Sequence, residues 1–375
     1  MSIVDETPSA TATPTAPASP QEAPGLMGGL SPAMKILVVA AMPLFLVTTF
    51  ILCFVSAGHA PSPYHLPIVI SGSERITSQL SDKLVVATDK DALSITTTTS
   101  AAEAKTAVAT REAAGAVVIS STGVTTYYAT GAGAFQASII KSVGTQIAGE
   151  LNLPSTLTDV APTPTEDPAG TSLFFFMVIC TLGSFLSIVV MTVTNPKGGV
   201  VGQIAAVVGA SLLGPIIGFS IISSFTGGFD MPFGTTSAVL GVGMLYSVVI
   251  GLLTVVLARL AGLGGILIGM ITLIVMNFPS SGGTTAAGIL PPFWQVIHNS
   301  WMGSAMIEWV RGITYFDGAQ IGRWSAQLLI WGAAAVVALV IVVVLQSRRR
   351  PIAARVYSTT TVDAADPAHR EPQSI

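Results

Sequence analysis

The sequence predicts an α-helical integral membrane protein: six transmembrane helices in a 1+5 arrangement, a re-entrant and interfacial segment before the last span, and an inserted α+β extracytoplasmic domain. Three observations predict it. Of 375 residues, 51% are hydrophobic and only 9% charged, with a mean hydropathy of +0.72, whereas a soluble domain carries nearer a quarter of charged residues. Apolar runs long enough to cross about 30 Å of hydrocarbon stand on both sides of a stretch of ordinary soluble composition. Finally, the segment from Asn277 to Asp317 is packed with Gly, Pro, Ser and Thr and then becomes aromatic, which suits neither a plain span nor a soluble loop.

Composition also narrows the function. A formal net charge of −3 gives no reason to expect a nucleic-acid partner. Cys53 and Cys180 fall inside apolar runs, where small buried thiols are expected rather than a disulfide. His59, His65, His298 and His369 are scattered without ligand spacing, so neither a metal site nor any other cofactor is expected. Lys105 and Lys141 precede Thr and Ser but follow Ala and Ile, not the Gly of a phosphate-binding loop. With no Gly-x-Ser-x-Gly elbow or His-Glu-x-x-His pair in the chain, no enzyme is expected. If ATP drives the protein, a separate ATP-binding-cassette ATPase subunit must hydrolyse it.

Residues 1–34 are rich in Pro, Thr, Ala and Ser and lack the branched and aromatic residues of a core, which predicts a disordered cytoplasmic tail. Residues 35–57 form the first span, since Ile36 to Ala57 carries no charge. The Gly58-His59-Ala60 tripeptide would fit a signal-peptide cleavage site, but the apolar run exceeds the usual signal core and favours a retained anchor.

From 58 to 170 charges and β-branched runs return, about the length of one domain. Its pattern predicts strands at Leu66–Ile70, Ala92–Thr98, Ala116–Ser120 and Val124–Ala129, with helices at Glu74–Leu84, Ala101–Glu112 and Ala134–Leu151. Ser100, three residues before Glu103, suggests a capping box. The mixed charges Asp82, Lys83, Asp89, Lys90 and Asp91 read as a solvated face, and APTPTEDPAG as a Pro-rich linker back to the membrane.

Residues 171–346 contain seven charged side chains, Lys197, Asp230, Arg259, Glu308, Arg311, Asp317 and Arg323. The apolar runs between them predict spans near 172–194, 200–225, 236–258, 262–278 and 326–346. Beyond 347 a basic cluster, Arg348-Arg349-Arg350, opens a tail expected to be disordered and cytoplasmic. By the positive-inside rule, cytoplasmic termini put Lys35, Lys197, Arg259 and that cluster on one side, and the soluble domain, Asp230 and residues 277–324 on the other. Gly198 with Gly202, Gly214 with Gly218 and Gly265 with Gly269 stand four apart, a spacing that lets helices approach closely, within one chain or between two. Pro215 predicts a kink in the third span.

Asn277 ends the run that begins near Leu263, and Pro279, Gly282 and Gly283 keep the helix from continuing. Backbone freed at that depth has to be satisfied by protein. Ser280, Ser281, Thr284 and Thr285 supply hydroxyls for that task. Pro291 and Pro292 suit a helix start. After them Phe293, Ile297, Trp301, Ala305, Trp309 and Ile313 recur every four positions, a continuous stripe that can lie in the interface. Trp294, Trp301, Trp309, Tyr315 and Trp324 add rings that favour headgroup depth.

The run FPSSGG, then LPPFW, then a helix ending in RGITYFD (Arg311–Asp317) resembles the C-terminal signature of the YhgE/Pip (phage infection protein) family within the ABC-2 type permease superfamily. The order of spans extends the likeness over most of the chain. The resemblance implies a permease-like subunit, working as a homodimer around a central path and exporting a lipid, polymer or amphipathic compound. ABC-2 permeases usually carry cytoplasmic helices that dock on the ATPase, whereas the loop after the second span is only about Thr194 to Gly199. That departure keeps a second class open: a non-transporting envelope or secretion-associated protein whose external domain binds partners.

Under the first reading Asn277, Pro279, Ser280, Ser281, Gly282, Gly283, Pro291, Pro292, Phe293 and Trp294 are a re-entrant motif and candidate substrate path; a packed turn needs the same residue types. Glu308 and Arg311, three apart, are expected to form a local ion pair rather than a proton relay, Tyr315 to sit at the interface, and Asp317 with Gly318 to make a turn before the last span. No strongly apolar span carries an ionisable residue near its centre, which argues against a proton-coupled antiporter. Ala and Thr abundance with ten Arg to six Lys suggests a GC-rich bacterium, and hence a multi-pass protein of the bacterial plasma membrane embedded in the lipid bilayer.

Overall fold

The computed structural model describes residues 31–87, 91–195, 198–226 and 231–360. The tail expected over 1–34 lies outside them except for its last four residues, and so do Asp89 and Lys90 of the mixed-charge cluster, Lys197 and Asp230. The chain divides into two compact units, Met1–Thr48 and Thr49–Ile375. The described part of the first is the opening of helix α1 (Pro32–Gly58). Everything below concerns the second.

After α1 the chain forms a five-stranded mixed sheet in the order β2-β1-β3-β4-β5. Strand β1 (Leu66–Ser71) leads through α2 (Glu74–Ala87) to β2 (Leu93–Thr98), which runs parallel to it. Helix α3 (Ala101–Ala109) then crosses back to β3 (Gly115–Ile119), parallel to β1 on its other side. A tight turn joins β3 to antiparallel β4 (Val124–Tyr128), with the Ser120 hydroxyl accepting the Thr122 and Gly123 N–H groups. Helix α4 (Ala134–Glu150) carries the chain to β5 (Ser155–Asp159), parallel to β4.

Alternation along β1 buries Leu66, Ile68 and Ile70 with Val117, Ile140 and Ile147 in one core. The opposite face buries Ala104, Val108, Ala116 and Ala129, and Phe316 from the membrane half of the chain completes that second core. Strand β5 is the element that periodicity did not predict. Its STLTD sequence is exposed or half-buried at every position, so no apolar alternation marks it. Pairing with β4 creates it, and the Asp159 carboxylate secures its end by accepting from the Thr130 and Ala161 N–H groups and the Thr130 hydroxyl. Half of the expected capping box forms at α3, where Ser100 Oγ accepts from Glu103 N at 3.2 Å. The Glu103 carboxylate instead takes the Thr98 hydroxyl, and Thr98 Oγ1 accepts the Ser100 N–H.

Five helical stretches are long and apolar enough to cross a membrane: Ser172–Thr194, Val200–Phe225, Phe233–Ala261, Leu263–Ser280 and Ile321–Arg348. The first three are α5, α6 and α7. The fourth is broken into α8 (Leu263–Met270), a π-helical turn at Ile271–Val275 and α9 (Asn277–Ser280). The fifth opens α12 (Ile321–Thr360), which continues past Gln346, where the sequence predicted the span to end and a disordered tail to begin. Helix α1 contributes the apolar stretch Pro43–Gly58. Span α7 is the centre, with 61% of its most apolar stretch buried, whereas α6 and α12 are peripheral at 22% each.

At one end of the bundle the Arg259 guanidinium bonds Gln203 Oε1 (2.6 Å), Gln346 Oε1 (3.0 Å) and the Gly198 carbonyl (3.4 Å), tying α6, α7, α12 and the α5–α6 loop together. The small-residue pairs divide. A Cβ at Gly265 would lie 1.8 Å from the Leu257 carbonyl oxygen, at Gly218 2.7 Å from Ile179, and at Gly269 3.1 Å from Phe185, so these three glycines permit contacts within the chain. Gly214 faces open space, and Gly198 sits in a loop against Asn195.

Candidate functional site

At the other end of the bundle, next to the sheet, two short helices fill the interval before the last span: α10 (Pro292–His298) and α11 (Met302–Tyr315). The continuous stripe from Phe293 to Ile313 is not formed, because the helix breaks at Asn299–Trp301. Nor does α11 lie on a surface. Met302 to Glu308, Val310, Arg311 and Gly312 are all buried, and its apolar side chains join the main membrane core with Phe174, Met177 and Tyr246. The helix carries Ser304, Glu308 and Arg311 along one face, and burial brings both charges inside with its apolar side chains.

Those charges are satisfied by three arginine and carboxylate groups in contact. The Glu308 carboxylate pairs with Arg311 on its own helix and, through its other oxygen, with Arg111 of the α/β domain. Arg111 Nη1 also donates to the Glu308 carbonyl at 3.2 Å, and its guanidinium lies 5.0 Å from the Phe316 ring centre. Arg311 Nη2 donates to the Gly282 carbonyl at 2.9 Å. Burial pushes the Glu308 carboxyl up, but Arg311 and then Arg111 outweigh it and hold the group at about 2, so it is a carboxylate at neutral pH.

The Gly/Ser/Pro turn is built around this triad. Ser280 Oγ donates to the Met276 carbonyl (2.8 Å) and Ser281 Oγ to that of Phe278 (2.8 Å) while accepting the Gly283 N–H (3.2 Å). The serines thus satisfy backbone that the broken helix releases. Gly282 has φ +80°, and a Cβ there would lie 2.8 Å from His298 Cε1 and 3.1 Å from Glu308 Oε1, so both conformation and space require glycine. His298 Nδ1 lies 2.9 Å from the Ser280 carbonyl, which can only accept, so Nδ1 carries the proton. Burial lowers the pKa of this imidazole against the opposing pull of Glu308, leaving it neutral. Deeper in the bundle Asn277 Nδ2 donates to the Tyr246 hydroxyl (2.7 Å), which also meets Thr181 (2.8 Å).

The expected site residues separate accordingly. Ser280, Gly282, Glu308 and Arg311 gather around His298, Asn277 abuts Gly303, and Ser281 bonds within the turn itself. Pro279 is buried in α9, and Gly283 presses on Phe174. Pro291 caps α10 and Pro292 opens it. Phe293 points outward, whereas Trp294 is buried and donates Nε1 to Ser56 of α1 at 3.1 Å. Tyr315 packs its ring against Gly131, and burial first, then Asp167, pushes its hydroxyl up to about 12. Asp317 (φ 48°) and Gly318 (φ 86°) form the turn before α12.

Sequence reasoning missed Arg111, His298 and Tyr246. Arg111 lies 197 positions from Glu308, and the local signal at it is faint: an arginine directly after a helix, where glycine is usual.

Two cavities adjoin the triad. One of about 300 Å³ lies between the sheet and the short helices, walled by Arg111, His298, Glu308, Arg311, Arg323 and Trp324 among others. The second, about 220 Å³, is lined by Gly282, Gly283, Thr284 and Gly133. Ser280 and Ser281 line neither. No metal-ligand cluster occurs among the described residues. Neither a family model nor a curated protein nor a solved structure matches this chain.

Proposed function

We propose that the chain is an ABC-2-like membrane permease subunit of the YhgE/Pip kind, exporting a lipid, polymer or amphipathic compound as a homodimer. In this reading α1 is a sixth span, both termini lie in the cytoplasm of a bacterium, and the α/β domain lies outside the plasma membrane. The observation that carries it is the broken fourth stretch, Leu263–Ser280, followed by α11 folded into the bundle beside α7 before the last span. An unbranched bundle of scaffold helices has no need of such a return, since every interrupted turn requires its own polar partners. The polar end at Arg259 and the adjoining Arg348 fit the cytoplasmic side of this arrangement.

A second reading, a non-transporting envelope or secretion-associated protein, draws on the short α5–α6 connection, Asn195–Gly199. It leaves no room there for a helix that docks on an ATPase. Affinity purification of the detergent-solubilised chain with mass spectrometry separates the two. A stoichiometric ATP-binding-cassette subunit is expected. Repeated recovery of envelope or secretion proteins without any such ATPase would overturn the exporter reading.

A further inference from the structure

The 300 Å³ cavity beside the triad carries an excess of positive charge that its own wall does not neutralise. Arg111, Arg311 and Arg323 line it against one carboxylate, Glu308. Two buried donors on the same wall have no partner among the described residues: Arg311 Nε, on a residue 4% exposed, and Trp324 Nε1, also 4% exposed. An unpaired buried N–H costs about 1–3 kcal/mol, and native structures rarely leave one without a partner. An anion in the cavity would offset the surplus charge and offer both donors an acceptor.

We propose that this cavity binds a phosphate group, carried by an anionic lipid headgroup or free in solution. The donors reach it from α11, from α12 and from the α/β domain. That spread suits the several acceptor oxygens of a tetrahedral phosphate better than the two of a planar carboxylate, and guanidinium groups match phosphate geometry. Arg323 is exposed, lies 4.5 Å from the Trp324 ring centre and bonds Asn299 Oδ1 at 2.8 Å, which leaves its remaining N–H groups for a ligand at the cavity mouth. The site stands whether or not the chain exports anything.

Native mass spectrometry of the full detergent-solubilised chain tests it, with phosphatidylglycerol, phosphatidylcholine and inorganic phosphate as separate probes. Retention of phosphatidylglycerol over phosphatidylcholine identifies a lipid headgroup; retention of inorganic phosphate at comparable concentration identifies a soluble anion. Trp324→Phe keeps an aromatic side chain and removes the N–H donor, and is expected to weaken the retained probe roughly tenfold. Arg323→Gln, outside the Glu308 triad, is expected to weaken it similarly and serves if Trp324→Phe does not fold. No preference for either anionic probe, or unchanged retention in a folded variant, overturns the site.

Discussion

Replacing Glu308 with Gln tests whether the buried triad holds the α/β domain to the membrane half. The change preserves shape and removes the charge, leaving Arg311 at 4% exposure and Arg111 facing a neutral amide. Two lines give the magnitude. A carboxyl held at about 2 against an ordinary 4.5 contributes about 3 kcal/mol at neutral pH, at 1.36 kcal/mol per pKa unit. Removing one partner of a buried ion pair costs about 3–5 kcal/mol. Because the folded-state pKa is depressed, the contribution is complete above pH 4.5 and is lost as pH falls toward 2. Unfolding of purified protein by titration with sodium dodecyl sulfate, repeated from pH 7 down to 3, should show Glu308→Gln less stable by about 3 kcal/mol at pH 7. The gap should narrow below pH 4.5. A triple change, Arg111→Met with Glu308→Leu and Arg311→Met, should recover most of the loss, since no uncompensated charge remains. A single variant within about 0.5 kcal/mol of the parent at pH 7 would refute the reasoning, because it would mean the carboxylate is no better placed than one in water.

Three further outcomes are expected. Tyr246→Phe strands Asn277 Nδ2 inside the bundle, while Thr181 Oγ1 still donates to the Met177 carbonyl, and should cost about 1–3 kcal/mol in the same titration; no change would mean the hydroxyl is idle. Gly265→Ala drives a methyl to 1.8 Å from the Leu257 carbonyl oxygen whereas Gly214→Ala meets nothing within 4 Å, so the first should reduce the folded yield sharply on size-exclusion chromatography and the second should not. Ser138→Cys, exposed on α4, should react with a membrane-impermeant maleimide added to intact cells; labelling only after lysis would place the α/β domain on the cytoplasmic face and reverse the proposed topology.

Legibility followed the range of the interaction. The stretches 172–194 and 200–225 could be read to the residue because each is a continuous apolar run bounded by Gly, Pro or Asn, and lipid admits few alternatives to a helix. Strands β1, β3 and β4 were legible from alternation, and β5 was not, because STLTD depends on β4 for its conformation. The Glu308–Arg311 pair was local and readable. Its third member was not, and neither was the role of His298, whose partner Ser280 lies 18 residues earlier across a turn of unpredictable path. The four-residue periodicity from Phe293 to Ile313 misled for a related reason: it counts through Asn299–Trp301, where the chain changes direction and Ser304 Oγ secures the corner by donating to the His298 and Trp301 carbonyls.

Arg111 shows why the two halves of the chain belong together. Helix α3 ends in a Schellman motif, with Glu112 N bonded to the Ala107 carbonyl at 2.8 Å and Arg111 N to that of Val108 at 3.1 Å. The residue in the left-handed position of that motif is usually Gly, and here it is Arg at φ 63°, a conformation that costs an L-residue about 1–2 kcal/mol. The surroundings hold it from both directions: its carbonyl accepts from Gln320 Nε2 at 2.7 Å, and its guanidinium reaches Glu308 across Phe316. A strained backbone persists when neighbouring structure over-determines it, and every one of those neighbours comes from α11 or the turn that follows it. The domain's second core likewise needs Phe316. An α/β domain that merely hung from its anchors would have no use for a costly arginine at a helix end. This one is clamped to α11 through Glu308, which Arg311 ties in turn to the Gly282 carbonyl beside the broken span.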